Sequence, residues 1–298
     1  MLGTHRLRVL QQVARSGSLA GAARSLSYTQ PAVAHHIGEL EREVGTPLIV
    51  RHGRGVRLTE AGTALAAHAD AVLARLSAAE DEVAAIAGLH AGRVRVAAYP
   101  TAAATLVPRA LVALRADYPG IAVSLDEVEP PEALAALRSG DADLAVTFRY
   151  PDEPGGTDAD RDLVTTPLGD DPVDIVVPAG HRSAGAAAGH HLVDLAGETW
   201  VAGCDRCRAH LVRSCRRAGF EPEVAFTTDD YVTQQALVAA GLAVAAMPRS
   251  SLGAHADPGL RAGPCQDLGN RTVEVVVARD LVPPAVAALR DRFVRLAA

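Results

Sequence analysis

Between Gly17 and Gly45 the sequence starts two helices and punctuates each end, and this spacing constrains the fold more than any other feature. Gly17-Ser18 stops a first helix on which Leu7, Leu10, Val13 and Ala14 share a face, with Thr4 as its expected cap. Ser18 can cap a second, short helix whose Leu19, Ala22, Ala23 and Leu26 face inward, the two alanines being small enough to admit another helix. Ser27-Tyr28 makes a tight turn. Thr29 then caps a third helix, and Pro31 sits in its first turn, where no amide bond is lost. Val33, Ile37, Leu40 and Val44 form one buried stripe, so Ala34, His35, Gly38 and Arg42 point the other way. Gly38 costs about 1 kcal/mol against alanine in a helix interior, a cost that suits a helix approaching its target closely. Gly45 ends the helix and Pro47 follows.

Two short helices joined by a tight turn, the second opening on small polar residues, make a helix-turn-helix, which places the N-terminal end of that second helix in a DNA major groove. Gln30 can pair with adenine N6 and N7, and Thr29 with a base or phosphate. The stretch LIVRHGRGVRLTEAG reads as a two-stranded wing, with Arg51, Arg54 and Arg57 around a tip of Gly53 and Gly55. Phosphate contacts account for those arginines without base reading. The charge distribution agrees. The 298 residues carry a net charge of -6, yet residues 1–60 hold eight arginines against four glutamates, a balance of +4, which leaves -10 on the remainder. A basic head on an acidic body directs only the head to nucleic acid. The expected DNA-facing set is Ser18, Thr29, Gln30, Pro31, Ala32, His35, Arg42, Arg51, Arg54 and Arg57. His35 and His36 read equally as solvated helix residues. As neighbours on a helix they point apart, so they are not expected to bind one metal.

The run from Ser16 to Gly62 resembles the winged helix-turn-helix of LysR-type transcriptional regulators. The resemblance rests on Ala22, Ala23, Leu26, Thr29, Gln30, Pro31, Ala32, Ile37, Leu40, Glu41, Gly45, Leu48, Arg51, Leu58, Thr59 and Gly62. Ala34 stands where that family usually has serine, and Ile49 where it usually has phenylalanine. The first departure removes one polar DNA contact.

Thr59 caps a long alanine-rich helix to about Ile86. Leu65, Val72, Ala79 and Ile86 lie seven apart, with Ala69, Leu76 and Val83 between them, a 4-3 pattern of a coiled-coil seam. Leu65, Val72, Leu76, Val83 and Ile86 are the expected dimerisation residues; the alternative is packing on the chain's own body. The resemblance implies antiparallel pairing of such helices, which would carry two heads to the half-sites of an imperfect inverted repeat. Gly88 to Gly92 is the expected hinge.

From Arg93 the period changes to alternating strands and helices, the mark of parallel sheets with crossover helices. Strands are expected at 94–98, 121–125, 144–148, 173–177, 199–202, 224–226, 243–247 and 273–277, with helices at 100–117, 131–139, 206–218, 231–240 and 284–296. LRSGDADLAV and GLAVAAMP resemble segments of the same family. The expected fold is thus an α+β multidomain chain: a winged helix-turn-helix (1–58), a linker helix and hinge (59–92), and a two-lobed α/β effector domain like the periplasmic binding proteins (93–298). Its first lobe takes 93–162 and 268–298, and its second 163–267. Ligands in open α/β sheets sit beyond the carboxyl ends of strands. Tyr99, Thr101, Thr147, Phe148, Cys204 and Thr228 at those ends are the expected effector-binding residues, for a small polar molecule, with an anion among the candidates.

GCDRCRAHLVRSC is the other conspicuous stretch. Cys204 and Cys207 form a C-x-x-C at a helix start, where the helix terminus and Arg206 and Arg208 would lower a thiol pKa. Plain packing or effector lining competes with a redox pair. A zinc site would also need His210 and Cys215, but Cys215 lies eight residues beyond Cys207, roughly 12 Å along a helix. Cys265 stands alone in a Pro/Gly-rich loop. No apolar run suits a membrane span and no signal segment opens the chain, so a cytoplasmic, thiol-reducing setting is expected. No catalytic motif is present, so no enzyme, metal or cofactor is expected. The leading reading is a regulator that binds double-stranded DNA and a small effector as a homodimer or homotetramer, with RNA polymerase as a further candidate partner. The alternatives are a thiol-redox regulator or enzyme using Cys204 and Cys207, and an architectural DNA binder with an empty clamp.

Overall fold

The computed structural model describes residues 2–53, 55–86, 92–153, 162–185, 189–279 and 282–297. The chain divides into two compact units. The first contains helices α1 (Thr4–Ser16), α2 (Leu19–Ser25) and α3 (Gln30–Val44), a hairpin of β1 (Ile49–His52) and β2 (Gly55–Leu58), and the long helix α4 (Glu60–Ile86). Apolar spacing dictates the packing. Leu7, Leu10 and Val13 of α1, Ala22 and Ala23 of α2, and Val33, Ile37 and Leu40 of α3 share one core with Leu48. Each fully buried Leu, Ile or Val contributes about 1.5–3 kcal/mol.

Side-chain caps fix the helix starts. Ser18 Oγ accepts from Gly21 N at 3.0 Å, Thr29 Oγ1 from Ala32 N at 3.4 Å, and Thr59 Oγ1 from Gly62 N at 3.0 Å. Thr4 does not cap α1: it is the first helical residue, and Gly3 takes the cap position without a side-chain bond. Gly45 ends α3 in the left-handed conformation, at φ 73°, which glycine adopts without strain. The Glu41 carboxylate accepts from Leu48 N at 2.8 Å and Ile49 N at 3.2 Å, tying the wing's first strand to α3.

From Arg93 the chain runs β3 (Arg93–Ala98), α5 (Pro100–Ala104), α6 (Leu106–Asp117), β4 (Ala122–Glu127), α7 (Pro130–Arg138), β5 (Leu144–Arg149), β6 (Leu163–Pro178), β7 (Thr199–Ala202), α8 (Asp205–Arg217), β8 (Glu223–Thr227), α9 (Tyr231–Ala239), β9 (Val244–Pro248), α10 (Arg249–Ala254), β10 (Leu260–Pro264), β11 (Asn270–Ala278) and α11 (Pro284–Ala297); all of it belongs to the second unit except residues 135–142, which group with the first. The strand order is β4-β3-β5-β11-β6-β9-β7-β8, with β10 paired to β6. The pairs of β3 with β4 and β5, and of β7 with β8 and β9, are parallel, as the alternating pattern requires. The pairs of β11 with β5 and of β6 with β11, β9 and β10 are antiparallel, so the sheet is mixed.

Strand β6 crosses between the lobes and corrects the expected boundary. Residues 163–172 pair with β11, whereas 173–178 pair with β9 and β10. The strand expected at 173–177 therefore begins at Leu163, and the lobe division falls near Pro172, not at residue 163. The early half pairs on one side only, so it tolerates Pro167, and the ladder slips in register at Val273/Glu274. The helix expected at 100–117 is two helices. Pro108 has no amide to offer Ala104, and Thr105 leaves the helical path, its Oγ1 donating to Thr101 O at 2.6 Å. Strand β10 and helix α10 lie where no element was expected.

Candidate functional site

The first unit presents the outer row of α3. Thr29, Gln30, Pro31, Ala34, His35 and Arg42 are exposed, while Ala32 and Ser18 are half-buried. The hydroxyls of Ser18 and Thr29 are engaged as caps, and no hydrogen bond joins the Gln30 amide to another described residue. Arg42 is ion-paired with Glu39 one turn back, which dilutes its cationic charge. His36 turns inward beside His5 and Tyr28, with ring centroids 4.7 and 6.0 Å away. Desolvation first, then His5, lowers its pKa below the ordinary 6.5. Gly38 has open space around it, in keeping with a face left clear for a close approach. Arg51 and Arg57 lie exposed on the wing, and Arg54 lies outside the described residues. The wing is docked: Val56 N donates to Gly17 O at 2.8 Å, and a Cβ on Gly55 would stand 2.5 Å from that same oxygen.

The expected seam of α4 divides in two. Leu65 is half-buried against the first unit's own core, where Ala66 and Ala69 are buried. Val72, Leu76 and Val83 are 47%, 41% and 66% exposed. The side chain of Ile86 lies outside the described residues.

In the second unit a cavity of about 50 Å³ opens where the strand ends of both lobes converge. Tyr99, Thr101, Phe148 and Cys204, four of the expected effector residues, line it. Thr147 and Thr228 do not. Thr147 is buried within β5 opposite Glu274, and Thr228 Oγ1 accepts from Asp230 N at 3.3 Å. The central group was missed. Arg271, 2% exposed, lies with its guanidinium carbon 4.5 Å from the Phe148 ring centroid and 4.8 Å from that of Tyr99. Its Nη2 donates to Thr101 Oγ1 at 2.7 Å, and Asp171 balances its charge. Burial opposes that charge, but Tyr99 and Asp171 hold the guanidinium above its ordinary pKa. Burial pushes the Tyr99 hydroxyl up to about 12. Glu129, Asp229, Tyr231, Gln234 and Ser251 also line it. An arginine alone on a strand carries no motif, and only the pairing of β11 with β6 brings it to Asp171.

Cys204 and Cys207 are free thiols with sulfurs 3.0 Å apart. The hydrogen bond from Cys204 lowers the Cys207 pKa, against burial and with help from Arg271 and Tyr150. The same hydrogen bond, with burial, raises that of Cys204. Arg206, expected to act on the thiols, donates from Nε and Nη2 to the Glu153 carboxylate, at 3.0 and 2.5 Å. His210 stacks on Tyr150 at 3.9 Å and bonds to Asp152 Oδ1 and Leu268 O, a packing role. Among the described residues no group of three His, Cys, Asp or Glu side chains is arranged to hold a metal. No helix among them is long and apolar enough to cross a membrane.

Comparison with known proteins agrees with this architecture. Residues 4–63 match the bacterial regulatory helix-turn-helix protein, lysR family, and residues 87–298 match the LysR substrate binding domain. The regulator CbbR of Rhodospirillum rubrum is 32% identical over 195 residues, 65% of this chain and 61% of that protein. The chain thus spans less than two thirds of that relative's length. Full-length OxyR from Pseudomonas aeruginosa superposes with a TM-score of 0.69 at 24% identity, covering 98% of this chain and 95% of that one. Full-length CbnR complexed with its target DNA gives 0.56 at 24% identity, covering all of both chains.

Proposed function

Since the chain belongs to the LysR family of DNA-binding transcriptional regulators with an effector-binding domain, we propose that it reads a promoter through α3 and is switched by a small anionic effector held at Arg271. The observation that carries the reading is the exposed N-terminal end of α3. There Thr29 caps the helix, and the Gln30 amide is left to a base edge. Arg51 and Arg57, with Arg54, would hold phosphates on either side. The CbnR structure named above contains target DNA, which supports the same use of this head.

The exposed row Val72, Leu76 and Val83 would pair two chains into a homodimer, and two dimers into a tetramer, so that two heads reach an imperfect inverted repeat. In the cleft, Arg271 Nη1 makes no hydrogen bond to a described residue, while Nε and Nη2 are held by Asp171 and Thr101. One arm of the fork is thereby left for a carboxylate or similar anion. An effector that binds the closed lobes better than the open ones would shift the dimer and the spacing of its heads. RNA polymerase would then read the altered complex. Footprinting the purified protein on the DNA upstream of its own gene tests the reading, alongside thermal stabilisation by carboxylate metabolites. Absence of any protected site at low salt would refute it.

A further inference from the structure

The function proposed above makes no use of Cys204 and Cys207, yet both line the effector cavity. Cys204 is the N-cap of α8 and Cys207 lies in its first turn. Residues three apart at a helix start stand about 5 Å apart at Cβ, close enough for a disulfide after a small side-chain rotation. Their sulfurs are already 3.0 Å apart. Each sulfur also reaches across to the other lobe. Tyr150, just beyond β5, neighbours Cys207, and Glu129, at the start of α7, neighbours Cys204 and keeps Oε2 buried with no partner. Arg271 supplies a positive charge beside Cys207.

We propose that Cys204 and Cys207 are a reversible dithiol switch inside the effector cleft, oxidised to a disulfide by a small hydroperoxide. The cavity of about 50 Å³ has room for a few water-sized molecules, so hydrogen peroxide or a short alkyl hydroperoxide can reach the sulfurs. In the first step the Cys207 thiolate attacks the terminal peroxide oxygen. The O–O bond breaks, the sulfur becomes a sulfenic acid, and the departing alkoxide or hydroxide takes a proton to leave as alcohol or water. In the second step Cys204 sulfur attacks Cys207 sulfur and the S–O bond breaks. The Cys204 proton leaves with the hydroxyl as water, with Glu129 placed to relay it. Two thiols lose two electrons and the peroxide gains them.

The consequence follows from the partners. A disulfide has no proton to give and no charge, so the Tyr150 donor and the Glu129 carboxyl both lose their contacts with α8, and Arg271 loses an anion. Buried polar groups without partners disfavour the closed cleft. Oxidation thus acts through the same two lobes as the effector, but in the opposite sense, towards the open cleft. This regulatory output rests on the reading proposed above, but the thiol chemistry does not.

The test uses the full-length reduced protein, treated with equimolar hydrogen peroxide, unfolded, alkylated with a maleimide and weighed. Two of the four thiols should escape alkylation, the intact mass before alkylation should fall by two hydrogens, and one peptide should link Cys204 to Cys207, all reversed by dithiothreitol. Cys207→Ser should slow peroxide consumption at least tenfold, roughly. Cys204→Ser should keep the first step and accumulate a sulfenic acid on Cys207 that dimedone traps. A Cys215→Ala/Cys265→Ala variant should behave as the parent, which separates thiol chemistry from folding. Full alkylation of Cys204 and Cys207 after peroxide, or a disulfide to any other cysteine, overturns the proposal. Operator binding by the reduced protein is measured in parallel. Its absence would sink the regulator reading and leave the thiol result standing, and the converse outcome would sink only the switch.

Discussion

Arg271 Nε and Nη2 both close on Asp171 Oδ2, at 3.0 and 2.8 Å, from strands that stand a hundred residues apart in the chain. Ser250 completes the Asp171 carboxylate, donating from N to Oδ1 at 2.9 Å and from Oγ to Oδ2 at 2.6 Å. With Phe148 and Tyr99 against its faces, the guanidinium has little freedom left to lose when a ligand binds, which favours affinity. The guanidinium is thus held in place by the chain's own residues.

Asp171→Asn should therefore be among the most destabilising changes in the second unit. It leaves a buried cation without its anion, a loss of about 3–5 kcal/mol. Urea unfolding should show a lower midpoint with unchanged slope. Full stability in Asp171→Asn would mean that Arg271 reaches water or another acid.

How legible each feature is in the sequence depends on the range of the interaction behind it. The row Val33, Ile37 and Leu40, the Thr29 cap and Pro31 are local, and three or four residues suffice to specify them. The strand Leu144–Arg149 is buried along nearly its whole length and reads as an apolar run. Half of β6 is hidden by Pro167, Gly169, Asp170 and Asp171, because its early part is held on one side only and needs no alternating pattern. Thr147 and Phe148 are adjacent at one strand end, yet only Phe148 reaches the cavity, since successive side chains on a strand face opposite ways. Leu65 keeps the heptad phase of Val72, but α4 docks on α1 near its start, and periodicity does not say which partner a stripe meets.

In the head, Gln30→Ala and Arg57→Ala should separate base reading from phosphate binding. The first should cost about 1–3 kcal/mol of discrimination between operator and random duplex. The second should weaken both duplexes alike and lower the salt slope by roughly 1. Titrations on both duplexes at several salt concentrations decide. Equal losses of specificity in the two variants would remove Gln30 from the base-reading role.

Charge placed on the exposed row of α4 should split the oligomer. Val72→Asp and Leu76→Asp alter residues 47% and 41% exposed in one chain, so the fold of a single chain should survive. Analytical ultracentrifugation should show a shift to monomer with an unchanged far-UV spectrum. Unaltered mass would place the interface elsewhere.

Asp152 should contribute an acid limit to stability. The hydrogen bond from Arg213, against some burial and with help from His210, holds its carboxyl well below the ordinary 3.8. A depressed carboxylate adds stability that is present above its unfolded value and lost as pH falls through the folded one. Melting temperature followed from pH 6 downward should fall more steeply in the parent than in Asp152→Asn, with the difference vanishing in strong acid. Parallel curves below about pH 4 would show that the Arg213 and His210 contacts contribute nothing.

Two glycines in the head should respond to the same substitution with opposite signs. A Cβ on Gly62 would stand 2.0 Å from Leu48 O, the carbonyl that also accepts from Thr59 N at 2.9 Å. Gly62→Ala must therefore push the start of α4 off the wing, an overpacking cost of about 1–3 kcal/mol or more. Gly38, on the outer row of α3, has nothing within 4 Å. Gly38→Ala should stabilise the head by roughly 1 kcal/mol through helix propensity. If that face lies in a groove, the added methyl should also hold α3 away from the bases. A more stable head that binds its operator less well is the expected outcome, read by thermal melting and by mobility shift on the same preparation. Undiminished affinity would show that DNA lies against some other surface.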